Sequence, residues 1–165
     1  MTGRLQGKIA IVTGAGSVGP GWGNGRAIAY RFAQEGARVF AVDRDPAAME
    51  ETVARVREIG GEIAIWRCDV TSSDEVRDMV RACVDTWGGV DILVNNVGGS
   101  RKGGPVDLDE AAWDAQIDFN LKSVYLGCRH VLPLMEEQGG GVIVNIASTS
   151  GTRWTGSAQV GYSSA

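Results

Sequence analysis

Short runs rich in β-branched residues alternate with stretches of helical periodicity along nearly the whole chain. Lys8 to Val12, Arg38 to Val42, Glu62 to Arg67, Asp91 to Asn95 and Gly141 to Ile146 read as five strands. Helical patterns separate them, so the strands are expected to run parallel, with crossover connections, in an α/β fold.

The helices carry their own start and stop signals. Asp45 followed by Pro46 supplies an N-cap and a pre-set first turn, Met49, Val53 and Val56 form an apolar stripe, and Gly60-Gly61 ends the segment. Ser72-x-x-Glu75 reads as a capping box ahead of a helix whose buried side is Val76, Val80, Cys83 and Trp87, closed by Gly88-Gly89. The longest helical pattern spans Glu110 to Gln138, with a predicted buried stripe of Trp113, Ile117, Asn120, Val124, Cys128, Val131 and Met135. Pro133 is expected to bend its last turns. Asn120 is the one amide on that stripe, so it is either satisfied by backbone and water or serves a function.

Composition narrows the class. The 165 residues are 44% hydrophobic, enough to bury one ordinary core, which predicts a single domain over 1–165. Net charge is −4, pI is near 5.0 and no run of five like charges occurs, so neither a nucleic-acid partner nor a membrane surface is expected. Cys68, Cys83 and Cys128 are widely spaced and sit in apolar surroundings, and His130 is the single histidine. They read as reduced core thiols of a cytoplasmic protein, with no metal site, no signal peptide and no membrane span expected.

The glycine-rich stretches sit at strand ends, where open α/β sheets bind ligands. The first runs from Thr13 to Arg26 and leads into an expected helix from Ala27 to Ala33, a strand-loop-helix setting suited to a pyrophosphate. Gly14, Gly16 and Gly19 spell one G-x-G-x-x-G register, and Gly23 and Gly25 form a second directly before the helix. The second is preferred near the phosphates, because Pro20 and the glycines after it argue against a helix starting at Gly19. Five residues of the loop are then extra, and Trp22 either covers the ligand or is a solvent-exposed tip. Asp43 ends the second strand, eighteen residues after Gly25. A carboxylate there accepts ribose hydroxyls and repels a 2′-phosphate, which favours NAD, while Arg44 keeps NADP possible.

Taken together these motifs resemble the short-chain dehydrogenases/reductases, from Lys8 to Ala165. Thr13-Gly14 with Gly23-x-Gly25 is similar to the family's T-G-x-x-x-G-x-G loop, departing from it by the five-residue insertion. Asp69-Val70 resembles its adenine-contacting pair, and Asn95-Asn96-Val97-Gly98 its N-N-A-G segment beside the adenine ribose. The resemblance implies a Rossmann-type doubly wound parallel sheet with cofactor contacts from Gly14, Gly23, Gly25, Asp43, Asp69, Val70, Asn96 and Gly98. It further implies that Asn120, Ser148 and Tyr162 are catalytic, Ser148 being set by its spacing from Asn145 and Tyr162 lying fourteen positions later.

The chemistry so implied is hydride transfer between a nicotinamide and a carbonyl or alcohol carbon of a small substrate, with Tyr162 exchanging the proton on oxygen. Family members carry a lysine four residues after that tyrosine, then further strands, a substrate-covering segment and a subunit interface shared with the long helix. The expectation is therefore a five-stranded portion of a longer homo-oligomeric enzyme, with strand five as an open apolar edge and with little or no turnover by the 165 residues alone. A non-catalytic dinucleotide-binding module is the competing reading, which the joint presence of Asn120, Ser148 and Tyr162 disfavours. Gly99 to Lys102 and Thr152 to Trp154 are expected to border the substrate, Arg153 and Trp154 pointing to an anionic or flat one.

Overall fold

The computed structural model describes residues 3–19 and 21–165. Five parallel strands form one Rossmann-like sheet: β1 (Ile9–Thr13), β2 (Arg38–Asp43), β3 (Ile63–Arg67), β4 (Ile92–Asn95) and β5 (Val142–Asn145), in the order β3-β2-β1-β4-β5. The strands are the five expected from the sequence, with boundaries differing by at most one residue at each end. The chain winds outward from β1 to β3 and then restarts on the other side at β4. That reversal puts a switch point between β1 and β4, the place where such sheets open a ligand crevice.

Successive residues of β1 serve opposite faces. Ile9 and Ile11 join Phe40, Val42 and Leu93 under α3 (Ser73–Trp87) and α5 (Ser123–Glu137), while Ala10 and Val12 join Val39, Ala41 and Val94 under α1 (Asn24–Gln34) and α2 (Glu50–Glu58). Burial on both faces explains why the strand is an uninterrupted apolar run. At the sheet edge β5 differs: Val142, Val144 and Ile146 are 56%, 39% and 42% exposed, as expected of an uncovered apolar edge.

The helices depart from the expected patterns in instructive ways. α1 starts at Asn24, with Gly23 in extended geometry as its N-cap, so Gly25 and Arg26 lie in its first turn rather than ahead of it. Pro20, which argued against an early start, lies outside the described residues. After β2, Asp45 does cap, accepting from Ala47 N at 3.0 Å, but the turn it opens is a 3-10 turn, Pro46–Met49. Met49 and Val56 are fully buried there, whereas Val53 is only half-buried and Thr52 takes the core position. Its hydroxyl donates to Ala15 O at 2.8 Å, which is why a polar residue is tolerated.

Ser72 caps α3 by accepting from Glu75 N at 3.4 Å, and Gly88 closes it in the left-handed region at φ 92°. The Glu75 carboxylate does not return the bond to Ser72 as in a full capping box. It reaches further back to Asp69 N at 2.9 Å. Trp87 is half-buried against Phe40, and Met79 fills the core instead.

The single long helix expected from Glu110 is divided into α4 (Glu110–Ile117), a π-helical turn at Asp118–Lys122, and α5. The wide turn rotates one half against the other. Hence the buried residues are Ala112 and Gln116 before it and Ser123, Leu126, Gly127, Val131 and Met135 after it. Of the predicted stripe, Val131 and Met135 are buried, while Trp113, Ile117, Asn120, Val124 and Cys128 are half-buried. Pro133 lies inside α5.

Candidate functional site

A cleft of about 810 Å³ opens at the C-terminal ends of β1, β2, β3 and β4. Gly14, Gly23, Gly25, Asp43, Asp69, Val70, Asn96 and Gly98 all line it, together with Ser17, Val18 and Phe119.

Its floor is built by backbone approach. A Cβ on Gly25 would overlap the carbonyl oxygen of Gly14 and stand 2.8 Å from Asn96 Nδ2, so the first turn of α1 lies directly on the end of β1. Gly14 adopts φ +63°, a left-handed value that L side chains rarely take. Asn96 braces this contact: its Nδ2 donates to Thr13 O at 3.0 Å and to Gly14 O at 3.1 Å, and its backbone N donates to Thr13 Oγ1 at 3.0 Å. Thr13 Oγ1 passes the link on to Val94 O at 3.1 Å. Gly23, Asn24 and Gly25 at the N-terminus of α1 line the cleft, and a helix N-terminus in that place suits an anion such as a pyrophosphate.

The carboxylates occupy the far wall. Asp43 accepts from Gly16 N through Oδ2 and from Asp45 N through Oδ1, each at 3.1 Å, which fixes the plane of the group and leaves further lone pairs on both oxygens. Asp69 accepts from the Thr71 hydroxyl at 2.7 Å and the Thr71 amide at 3.0 Å. These bonds, the hydroxyl's first, hold its carboxyl below the ordinary range. Cys68 beside it is 1% exposed, and burial pushes its thiol up to about 12, so it acts as apolar wall. Arg44 also lines the cleft.

Asn120, Ser148 and Tyr162 stand outside that cleft, on the side of β4 and β5. Gly98 marks the boundary, since a Cβ there would be 3.2 Å from Asn120 Oδ1. Asn120 lies in the π-helical turn and is satisfied by backbone alone. Its Oδ1 accepts from Gly99 N at 2.9 Å, and its Nδ2 donates to Gly99 O at 3.1 Å and Gln116 O at 2.8 Å. Ser148 caps a 3-10 turn, Thr149–Gly151, accepting from Ser150 N at 3.2 Å. Tyr162 is half-buried in α6 (Val160–Ser164).

Intermediaries tie these three together. Gly161 packs on Gln116, where a Cβ would stand 3.0 Å away, and Gly151 packs on the Ser163 carbonyl. Gly103 N donates to Ala158 O at 2.9 Å and Val160 N to Gly103 O at 3.0 Å, so the segment after β4 pairs with the chain entering α6. Gln116 Oε1 also accepts from Arg101 N at 3.0 Å. Arg101, Lys102, Arg153 and Trp154 are all exposed on this side.

Several contributors carried no sequence signal of their own. From sequence alone a glutamine such as Gln116 reads as surface, and its burial depends on the register change at the π-helical turn. Arg26, directly after the last loop glycine, is 3% exposed, with its guanidinium bonded to Glu51 and Thr52. Trp22 does not line the cleft and is 53% exposed, as the solvent-exposed alternative expects. It packs edge-on against Tyr30 at 5.2 Å, with the Arg55 guanidinium 4.7 Å from its ring centroid.

Among the described residues no group of three or more His, Cys, Asp or Glu side chains is placed to hold a metal ion, and no helix is long and apolar enough to cross a membrane.

Residues 8–165 match the family model described as short chain dehydrogenase. Over 148 residues the chain is 37% identical to a 3-oxoacyl-(acyl-carrier-protein) reductase of Thermotoga maritima, covering 90% of this chain and 58% of that protein. It is 40% identical over 147 residues to the 7alpha-hydroxysteroid dehydrogenase of Escherichia coli K12, covering 88% and 54% respectively. A crystal structure described as a short-chain dehydrogenase/reductase from Burkholderia xenovorans superposes with a TM-score of 0.97 at 62% identity, over 98% of this chain and 64% of that one. A 7 alpha-hydroxysteroid dehydrogenase complexed with NADH and 7-oxo glycochenodeoxycholic acid gives a TM-score of 0.89 at 36% identity, over 98% and 60%. The chain thus spans a little over half the length of these curated relatives.

Proposed function

The chain belongs to the short-chain dehydrogenase family, and from that premise we propose that residues 1–165 are a single dinucleotide-binding domain of an NAD-dependent oxidoreductase acting on a small carbonyl or alcohol substrate. The observation that carries the proposal is the convergence of Gly14, Gly23, Gly25, Asp43, Asp69, Val70, Asn96 and Gly98, from five separate segments, on one cleft at the sheet's switch point. The cradle fits a dinucleotide physically: side-chain-free backbone at Gly14 and Gly25 for a pyrophosphate, and the fixed Asp43 carboxylate for ribose hydroxyls.

When bound, a nicotinamide dinucleotide supplies the hydride donor or acceptor. The chain's own residues do the rest. The amides at the start of α1 hold the diphosphate, Asp43 accepts from the adenosine ribose, and Asp69 and Val70 border the adenine. Asn96 and Gly98 shape the wall beside the ribose. Tyr162 exchanges a proton with the substrate oxygen through its phenol, and Ser148 orients that oxygen with its hydroxyl. Asn120 acts through position, because both ends of its amide are spent on Gly99 and Gln116 and so hold the strand-end loop beside the wall.

The charge at Asp43 favours NAD over NADP, since a 2′-phosphate would meet a carboxylate whose orientation is already fixed by two backbone amides. Arg44 in the same wall is the one feature supporting NADP. Homo-oligomer formation, as a dimer or tetramer, belongs to the same proposal. Leu121, Tyr125 and Leu132 present exposed apolar area, 48%, 55% and 44%, along the helix pair that carries Asn120. The free thiols of Cys68, Cys83 and Cys128 fit a cytoplasmic setting.

Titrating the intact protein with NADH and NADPH by fluorescence, followed by turnover assays over a panel of carbonyl compounds, tests the proposal. Saturable NADH binding that is tighter than NADPH binding, with turnover abolished in Tyr162→Phe, is the expected result. Binding without turnover of any carbonyl would favour a non-catalytic dinucleotide-binding module instead.

A further inference from the structure

Two loops meet on the side of β4 and β5 where Ser148 and Tyr162 stand. The segment after β4 passes through Arg101 and Lys102, and the segment after β5 passes through Arg153 on its way to α6. Gly103 N donates to Ala158 O at 2.9 Å, which joins the two. Neither stretch, 96–106 or 146–165, contains an aspartate or a glutamate. Three cations with no acid among them is an uneven distribution in a chain whose net charge is −4.

Each cation is placed by its backbone. Arg153 N donates to Thr149 O at 3.1 Å, in the turn that Ser148 caps, and Gly151 of the same turn packs on the Ser163 carbonyl. Arg101 N donates to Gln116 Oε1 at 3.0 Å, and Gln116 packs on Gly161, the residue before Tyr162. Lys102 precedes Gly103, whose carbonyl accepts from Val160 N at 3.0 Å. Among the described residues none of these three side chains forms an ion pair or a hydrogen bond, whereas Arg55, Arg77 and Lys122 on the helices are ion-paired. Asp107 bounds the region, its Oδ2 3.4 Å from where a Cβ of Gly104 would stand.

One unpaired cation on a surface is ordinary. Three on two joined loops repel one another and draw an anion in between them, and charges of one sign gathered in this way raise the capture of the opposite ion by about tenfold or more. Guanidinium and ammonium groups both take carboxylate and phosphate oxygens. We infer that the substrate carries such an anionic group, received by Arg101, Lys102 and Arg153 while its carbonyl lies at Ser148 and Tyr162. The inference rests on the dehydrogenase reading of that site. The anion itself is unchanged by the reaction: an oxo acid gains the hydride at its carbonyl carbon and a proton at the carbonyl oxygen, giving a hydroxy acid and the oxidised cofactor. Trp154, 73% exposed next to Arg153, offers a flat apolar surface to the body of such a substrate.

The experiment measures kcat/KM of the intact protein with NADH for two matched pairs, benzoylformate with its methyl ester and dihydroxyacetone phosphate with dihydroxyacetone. In at least one pair the anion is expected to exceed the neutral compound by about tenfold, and its advantage should shrink between about 0.05 M and about 0.5 M NaCl. Arg153→Gln and the Arg101→Gln/Lys102→Gln pair should each lower that ratio by about threefold or more. Arg57→Gln, the same loss of charge on α2, should not move it. Equal use of anion and neutral compound in both pairs, or an effect of Arg57→Gln as large as that of Arg153→Gln, would overturn the anion site while leaving the dehydrogenase reading standing. Failure to reduce any of the four compounds also overturns it, and NADH binding measured alongside shows whether the cofactor reading falls with it.

Discussion

Gly25 lies so close to the carbonyl oxygen of Gly14 that the first turn of α1 and the end of β1 admit no Cβ between them. Gly23, two residues earlier, is different: a Cβ there would meet Ser17 Oγ at 3.5 Å, an ordinary contact, and its φ of −80° suits any residue. Gly25→Ala is therefore expected to cost about 1–3 kcal/mol of stability and to weaken NADH binding by tenfold or more, on the scale of overpacking. Gly23→Ala should lose well under 1 kcal/mol (~0.5) because an N-cap glycine has only modest intrinsic advantage over alanine. Urea titrations and NADH titrations on the two variants give the comparison; equal effects would contradict it.

Asp43 governs the choice of cofactor in this reading. Removing its charge in Asp43→Asn keeps an acceptor for Gly16 N but ends the repulsion of a 2′-phosphate. The ratio of NADPH to NADH affinity should rise by about tenfold or more, an effect well within the reach of one nearby charge. Direct titration of both cofactors decides the matter, and an unmoved ratio would shift the assignment to Arg44.

Tyr162→Phe removes the exchangeable proton without changing the ring that packs in α6. Turnover in the intact enzyme should fall about 10²- to 10⁴-fold, the usual contribution of a positioned acid or base, while NADH affinity stays within about twofold. Ser148→Ala should follow the same pattern. A fall in cofactor affinity matching the fall in rate would mean that these residues support the fold rather than the chemistry.

Asn120→Ala leaves Gly99 N, Gly99 O and Gln116 O without their partner, at a cost of about 1–3 kcal/mol for each group that water cannot reach. Melting temperature and NADH affinity should both decline, in contrast to Tyr162→Phe. A variant as stable as the parent would show that the amide is not holding the loop.

His130 offers a pH test away from the site. Its Nε2 lies 3.0 Å from Ser73 Oγ between α5 and α3, and burial, helped by Arg129 and Arg77 against Asp74, holds its pKa below the ordinary imidazole value of 6.5. A lowered folded-state value means that the unfolded chain takes up the proton first. Stability from this group is therefore complete above pH 6.5 and declines as pH falls through the folded-state value. Melting curves from pH 7.5 to 5 should show this decline, reduced in His130→Gln; an identical slope in both proteins would remove His130 as its source.

Much of the fold was legible because its signals are local. The five strands are apolar runs bounded by glycine and polar residues, and their separation by helices leaves a parallel sheet as the natural packing. The caps at Asp45 and Ser72 were legible for the same reason, each needing only its neighbours along the chain. The predicted cofactor residues also sit at strand ends, so once the strand order is doubly wound they have one crevice to line.

What the sequence left undecided depends on contacts between distant segments. The stripe from Trp113 to Met135 assumes one unbroken helical period, and the π-helical turn at Asp118–Lys122 breaks it, so Gln116 and Ser123 are buried where Ile117 and Val124 were expected. Asn120 could be read as core amide or functional group from its position alone; only the fold brings Gly99 within reach. The burial of Arg26 depends on Glu51 and Thr52, which only the packing of α2 brings to it. Periodicity along the chain determines elements, and with them the class of fold and the list of residues near the site. Which side chains are satisfied and which are free to bind depend on partners about 20 to 80 residues away, and hydrogen bonds of that kind leave no periodic trace in a sequence.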